Sequence, residues 1–475
     1  MKNVHRTGVR GIPEEWDEEI EVVVVGSGFA GLAAAAEAAG LGARVVILEK
    51  MRRYGGNSLI SGGGYCAWDS ELHLRQRLDL GFDTWRQHQE DTLKGGDYYN
   101  IPGLVEVMVK GAPDGLNWLI DAGARIKKTL PRIGGHSAHR SHLEAASQGR
   151  GFTEPLKKLA TSRGVEIRLN TSVTGIWRED AEGPVLGVEA VTEEKKNIRV
   201  SRALVLASGG FSRDVKMRMD YNPSLVPEYN CTNHRGATGE IIRYARAVWA
   251  DVLHLAFIQL YPCAEPKSGA IDSYALHPYS GTGYGLFYVN KFGRRFVNEL
   301  DRRDVVSDAQ IKSGGKPTYA ILNAEVFEKL ATPADEIRKG VAKGRLIEGE
   351  TINELAEKLG IPKDALEDSV ARHNRYIMEG RDLDFGKPMT ANMVALTKGP
   401  FYGIAQWPAI HHCMGGLRID KEARVIDIWG RPIPRLYAAG EVCGGIHGSN
   451  RLGGNAIPDC IVFGRIAGIN AAKEK

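Results

Sequence analysis

The sequence predicts an α/β protein in which a nucleotide-binding unit opens and closes the chain around a separate lobe. Three observations carry that prediction. The apolar run Val22–Val25 leads directly into Gly26-Ser27-Gly28-Phe29-Ala30-Gly31. Two further apolar runs, Ala203–Ala207 and Leu436–Ala439, also end in glycine, as strands do where the carboxyl edge of a sheet meets a ligand. Between them, from about Phe257, the chain becomes rich in tyrosine, proline and glycine (Tyr261, Tyr274, Tyr279, Tyr284) and then helical.

Taken in order, four valines are too apolar for an exposed strand and suit a central parallel one. Gly26 allows the tight turn, Gly28 lets the backbone approach a pyrophosphate, and Gly31 lets helix and strand pack closely. A helix over Ala30–Ala39, just after Phe29, then aims its N-terminal amides at the phosphates. A second strand, Arg44–Leu48, delivers Glu49 about 20 residues after the glycines, where an acid bonds a ribose hydroxyl. Together these indicate a bound dinucleotide. The segment Gly55–Gly64 is too glycine-rich for helix or strand and suits backbone lying against a flat ligand. Helical spacing follows from Ser70 to about Ile126. His136, His139, Arg140 and His142 crowd the polar stretch 134–150; no acid or thiolate stands at ligand spacing, so a turn lining the cavity is expected rather than a metal site. Strand-like runs at Val165–Leu169, Val185–Val191 and Ile198–Val200 precede the second glycine-ended strand. In the middle lobe, Thr351 and Glu354 form a capping box, and a second helix stops at Gly380.

Composition narrows the classes. A length of 475 residues suits two or three domains, and 43% apolar with 25% charged residues is ordinary for a globular protein. A net charge of +4 gives no case for nucleic acid or an anionic membrane. The six cysteines include no C-x-x-C, which argues against a c-type haem or a cluster held by closely spaced thiolates, and suggests a reducing, cytoplasmic setting. Met1–Arg6 shows no leader pattern, and Val22–Leu41, with Glu37 and its glycines, is a buried unit rather than an integral membrane segment.

Beyond these features the chain resembles the flavoprotein of the fumarate reductase/succinate dehydrogenase family, especially its soluble fumarate and urocanate reductase branch. The matching blocks include Gly26–Gly31 with Glu49, Gly55–Ser58, Ala207–Phe211, Gly293–Glu299, Asp382–Phe385, His411–Gly416, Gly440–Val442 and Gly448–Ile457. The resemblance implies FAD rather than NAD. It implies a split Rossmann-like FAD-binding domain, 1–256 and 413–475, around an inserted α+β capping domain, 257–412. Cofactor contacts are expected in the first half at Lys50, Gly55, Gly56, Asn57, Ser58, Gly62, Gly63, Val173, Ala207, Ser208 and Gly209. They are expected in the second half at Gly440, Glu441, Arg451, Gly454, Asn455, Ala456 and Ile457. Membrane members attach the flavin through a histidine in the glycine-rich loop; Asn57–Ser61 has none, so non-covalent FAD is expected.

Reduced flavin passes a hydride to one carbon of an electron-poor C=C bond while the other carbon takes a proton. An arginine fork suits a carboxylate through two parallel charge-assisted bonds. By resemblance, His411 and Arg451 hold the substrate's acidic end and Arg303 is the proton donor. An arginine is normally always charged, so that role needs a path that refills it. Here the chain departs from fumarate reductases: Tyr279 stands at the relay glutamate, Thr282 at the second relay arginine, and Tyr261 at a substrate-binding histidine. A cyclic or aryl-bearing enoate or enone is therefore expected rather than fumarate. Tyr279 or water would handle the proton, Tyr261 is a candidate for both catalysis and substrate binding, and the reaction would run as reduction or dehydrogenation with an unidentified electron donor or acceptor as partner. Two other readings stand: a cyclic-ketone or 3-ketosteroid-type dehydrogenase using oxygen or a quinone, and a flavin electron-transfer subunit. The bland readings are that Arg303 pairs with Asp301 or Asp304, that Tyr261 and Tyr279 only pack, and that His412 is structural.

Overall fold

The computed structural model describes residues 12–145 and 148–474; Met1–Arg6 lies outside the described residues. An eight-stranded sheet carries the fingerprint. Its strand Glu18–Val25 lies between Val45–Leu48 and Lys195–Leu206 and runs parallel to both. The sheet continues to Glu166–Arg168 on one side and to Pro432–Ala438, then Arg424–Ile426, on the other. Val22 to Val24 are fully buried, as a parallel strand covered on both faces requires. Small residues let the covering helices approach: a Cβ at Gly464 would lie 2.6 Å from the Ala30 carbonyl oxygen, and one at Gly468 2.1 Å from that of Ala34. Helix Ala456–Lys473 thereby packs against Phe29–Gly40.

Three local expectations change. Ile198–Val200 and the run from Ala203 form one strand, Lys195–Leu206, because both pair with Glu18–Val25 across a register shift. The Gly55–Gly64 segment contains one helical turn, Gly56–Leu59, and a strand, Gly64–Cys66, since the latter gains a partner in Ser141–Leu143. The stretch from Ser70 is three helices rather than one pattern; Asp83 is drawn inward to Arg75 and Arg140, and Thr84 caps the helix Trp85–Gly95.

A second, five-stranded sheet is antiparallel: Ile258–Ala264, Phe401–Cys413, Thr318–Asn323 and Phe287–Val289 in order, with Ile347–Gly349 also on Phe401–Cys413. Two apolar cores result. One surrounds the large sheet and draws residues up to Ile258 and from Ile410 onward; the other draws on Tyr261 to Ala409. In the smaller unit, Thr351 Oγ accepts from the Glu354 amide at 3.1 Å, and helix Lys363–Glu379 ends at Gly380 with φ 68°. The strand Phe401–Cys413 starts in one core and ends in the other.

Candidate active site

At the carboxyl edge of the large sheet, one cleft is lined by Gly26, Gly28, Phe29, Ala30, Glu49, Lys50, Gly55, Gly56, Asn57, Ser58, Val173, Ala207, Ser208, Gly209, Gly440 and Glu441. Gly26 has φ 102°, and a Cβ there would lie 2.4 Å from the Ala207 carbonyl oxygen. Gly31 does not line the cleft; a Cβ at Gly31 would meet the Gly26 carbonyl oxygen at 2.0 Å, so its part is to let helix meet strand. Glu49 is preset: its Oε2 accepts from the Ser27 amide at 3.1 Å and its Oε1 from the Met51 amide at 2.9 Å. Gly56 and Gly209, both at positive φ, face open space where a Cβ would stand, leaving bare backbone toward the cleft. Bare backbone, a preset acid and a helix start are what an FAD pyrophosphate and ribose need.

Sequence reasoning missed His234, Gly236, Glu240 and Ile241, which close the cleft from a segment without motif character. Lys50 is engaged there, ion-paired with Glu240 and donating to Thr238 Oγ1 at 2.6 Å. Gly62, Gly63, Gly454, Asn455, Ala456 and Ile457 lie outside this lining. Gly63 packs on the Gln148 backbone and Gly454 on Cys66 Sγ. Asn455 donates to Thr92 Oγ1 at 3.0 Å and accepts from His88 Nε2 at 2.9 Å. Ala456 and Ile457 form the first turn of the last helix.

The second cluster forms where Ile258–Ala264 pairs with the end of Phe401–Cys413. Gln259 stands opposite His412 and Leu260 opposite Ile410, so His411 is an extra, bulged residue. A bulge re-aims a side chain. His411 turns toward the Tyr261 ring, 5.2 Å between centroids, with Nδ1 2.8 Å from Thr232 Oγ1. His412 turns the other way, its Nδ1 3.7 Å from Glu441 Oε1. Burial and the charges of Arg303 and Arg451 push His411 well below its ordinary value, so it is neutral.

Arg303 begins the helix Arg303–Lys312, and Arg451 stands in the loop before Ala456. Both converge on one oxygen: Gln259 Oε1 accepts from Arg303 Nη1 at 3.3 Å and from Arg451 Nη2 at 3.2 Å. Gln259 was not foreseen, although it lies two residues before Tyr261 and so shares its face. Arg451 otherwise donates to the Leu452 carbonyl, and the Nε of each arginine is buried without a partner. Burial beside Arg303 pulls Arg451 down to about 9. The acids expected to pair with Arg303 are not its partners; Arg302 takes Asp304, Nε to Oδ1 3.0 Å.

Tyr261 and Tyr279 wall the cluster, ring centroids 6.0 Å apart, with the Arg303 guanidinium 5.1 Å and 4.7 Å from them. The Tyr261 hydroxyl donates to the Ala275 carbonyl at 3.0 Å, so this residue presents its ring. The Tyr279 hydroxyl is buried without a partner and lies over Gly453, where a Cβ would fall 2.1 Å from it and 3.2 Å from Arg303 Nη2. Thr282 is turned away, bonded to the Tyr279 carbonyl. Of the polar stretch, His136 comes beneath the site, donating from Nε2 to the Gly453 carbonyl at 2.8 Å, while His139 and His142 bond elsewhere. Among the described residues no group of three His, Cys, Asp or Glu is placed to hold a metal.

The FAD binding domain family matches residues 21–457. The urocanate reductase of Eggerthella lenta is 36% identical over 471 residues, covering 97% of this chain and 76% of that protein. The acrylate reductase flavoprotein subunit of Shewanella woodyi is 34% identical over 470 residues, covering 95% and 91%. Among solved structures, the open conformation of a flavocytochrome c3 fumarate reductase is similar with a TM-score of 0.78 at 34% identity, covering 96% of this chain and 79% of that one. With the cleft described above, these likenesses identify the cofactor as FAD, and the chain belongs to the FAD-binding flavoproteins of the fumarate reductase family.

Proposed function

We propose that the protein reduces a C=C bond conjugated to a carboxylate, with a cyclic or aryl-bearing substrate rather than fumarate. The observation that carries this is the convergence of Arg303 and Arg451, neither bonded to a carboxylate, on one amide oxygen beside a neutral histidine and two tyrosine rings. When bound and reduced, FAD supplies the hydride. Arg451 and His411 hold the substrate carboxylate and draw electron density from the double bond. Tyr279 delivers its phenolic proton to the second carbon, and the Arg303 charge beside its ring stabilises the phenolate until water restores the proton. Tyr261 supplies a flat wall in place of a second anion site. The FAD-binding domain spans 1–256 and 413–475 with a cap over 257–412, a division that the two separate cores support; FAD is held without a covalent bond, and a separate donor supplies the electrons. Among the described residues no helix is long and apolar enough to cross a membrane. All six cysteines are free, which supports a cytoplasmic setting.

The test is anaerobic. Dithionite-reduced protein is mixed with cinnamate, urocanate, acrylate or fumarate, and reoxidation is followed by flavin absorbance. The aryl and cyclic enoates are expected to restore the oxidised spectrum faster than fumarate. A flavin left reduced by all four overturns the reading.

A further inference from the structure

Arg303 and Arg451 reach the site from segments far apart in sequence, and Arg303 is the first residue of its helix, where the helix dipole disfavours a cation. Beyond the Gln259 oxygen they share, something other than that helix must hold the Arg303 backbone in place. We infer that Asp97 is a positioning residue that fixes Arg303 against Arg451; the inference rests on the reading of Arg451 as holding the substrate's carboxylate and of Arg303 as the charge beside Tyr279.

The Asp97 carboxylate accepts from both ends of the Arg302 guanidinium, Nη1 to Oδ1 2.5 Å and Nη2 to Oδ2 2.9 Å. Its Oδ2 also accepts from the Ser449 hydroxyl. One carboxylate thus joins the residue just before Arg303 to the residue two before Arg451. The turn that carries Asp97 is stitched to the same loop: the Ser449 amide donates to the Gly96 carbonyl at 3.0 Å, and Asn450 Nδ2 to that of Gly95 at 3.2 Å. A Cβ at Gly448 would fall 2.2 Å from the Gly96 carbonyl oxygen. Asp97 and Tyr98 both hold left-handed backbone, φ 52° and 58°. Two adjacent side-chain-bearing residues there are costly, and the conformation aims Asp97 across to Arg302. The Asp97 side chain is 46% exposed, so its pull on Arg302 is screened by salt.

The test uses holoprotein and Asp97→Asn, which keeps the shape and removes the charge; Arg302 stays paired with Asp304, so the helix start keeps a partner. Amide hydrogen exchange is expected to quicken about five- to tenfold in segments 302–306 and 446–452 and not elsewhere. FAD content should be unchanged. Reoxidation by cinnamate should slow and become less salt-dependent than in the parent protein, while Asp97→Glu, which keeps the carboxylate, should retain more of the rate than Asp97→Asn. Unchanged exchange in both segments, or faster exchange throughout the chain, overturns the inference whatever the substrate. Local quickening without reoxidation by any enoate supports the positioning role and counts only against the substrate reading.

Discussion

Arg303 and Arg451 carry like charges close together and share one acceptor, Gln259 Oε1, which offsets only part of the cost; on the proposed reading an arriving anion offsets the rest. Arg451→Ala should therefore raise the KM for the enoate about ten- to a hundredfold, the worth of a charge-assisted bond, while leaving FAD bound. Steady-state kinetics alongside flavin content checks this. The two tyrosines should separate cleanly. Tyr279→Phe removes a buried hydroxyl with no partner, so stability should hold while turnover falls about 10²- to 10⁴-fold, the range of a lost general acid. Tyr261→Phe removes a bond to the Ala275 carbonyl, so it should cost about 1 kcal/mol of stability and little turnover. Thermal melts beside single-turnover reoxidation distinguish the pair. Both tyrosines were singled out from sequence, but which hydroxyl has a partner was not legible there, because it depends on what each reaches in the fold.

At the scale of elements, the strand, turn and helix that open the cleft were legible: glycine spacing, strand burial and acid all sit within one continuous stretch. The contact of Gly31 with the Gly26 carbonyl turns that legibility into a prediction. Gly31→Ala should cost about 1–3 kcal/mol from overpacking and release FAD, whereas Gly283→Ala, with open space around it, should do neither. Chemical denaturation and flavin fluorescence read both. The ribbon of Ile258–Ala264 and Phe401–Cys413 was legible only in part. Alternation allowed one of His411 and His412 to face the site but could not say how both are used; the bulge decides, and a bulge is set by how two strands far apart in sequence come into register.

For the molecule as a whole, buried histidines set the response to acid. His136 and His373 are held at about 3 and His142 at about 4, each by burial, against an ordinary value of 6.5. Below pH 6.5 the unfolded chain binds protons that the folded chain excludes, so stability falls as pH drops. At pH 5, His136 and His373 should each account for about 2 kcal/mol of that loss. Glu299, lowered to about 2 through Lys387 and Arg295, adds its share only below its ordinary 4.5. Melting temperature against pH should therefore begin to fall near 6.5, and His373→Gln should flatten the curve between 6.5 and 5. What the sequence by itself determined was the α/β class, the dinucleotide and, through family blocks, FAD; these are written in contiguous residues whose spacing and apolarity act locally. What only the tertiary structure decided was which groups meet: Gln259 under both arginines, Arg302 rather than Arg303 on the acids, Asp97 joining two segments, and a free hydroxyl on Tyr279 but not on Tyr261. Those depend on where distant segments come to rest, and no local pattern encodes the distance between side chains that the chain brings together only by folding.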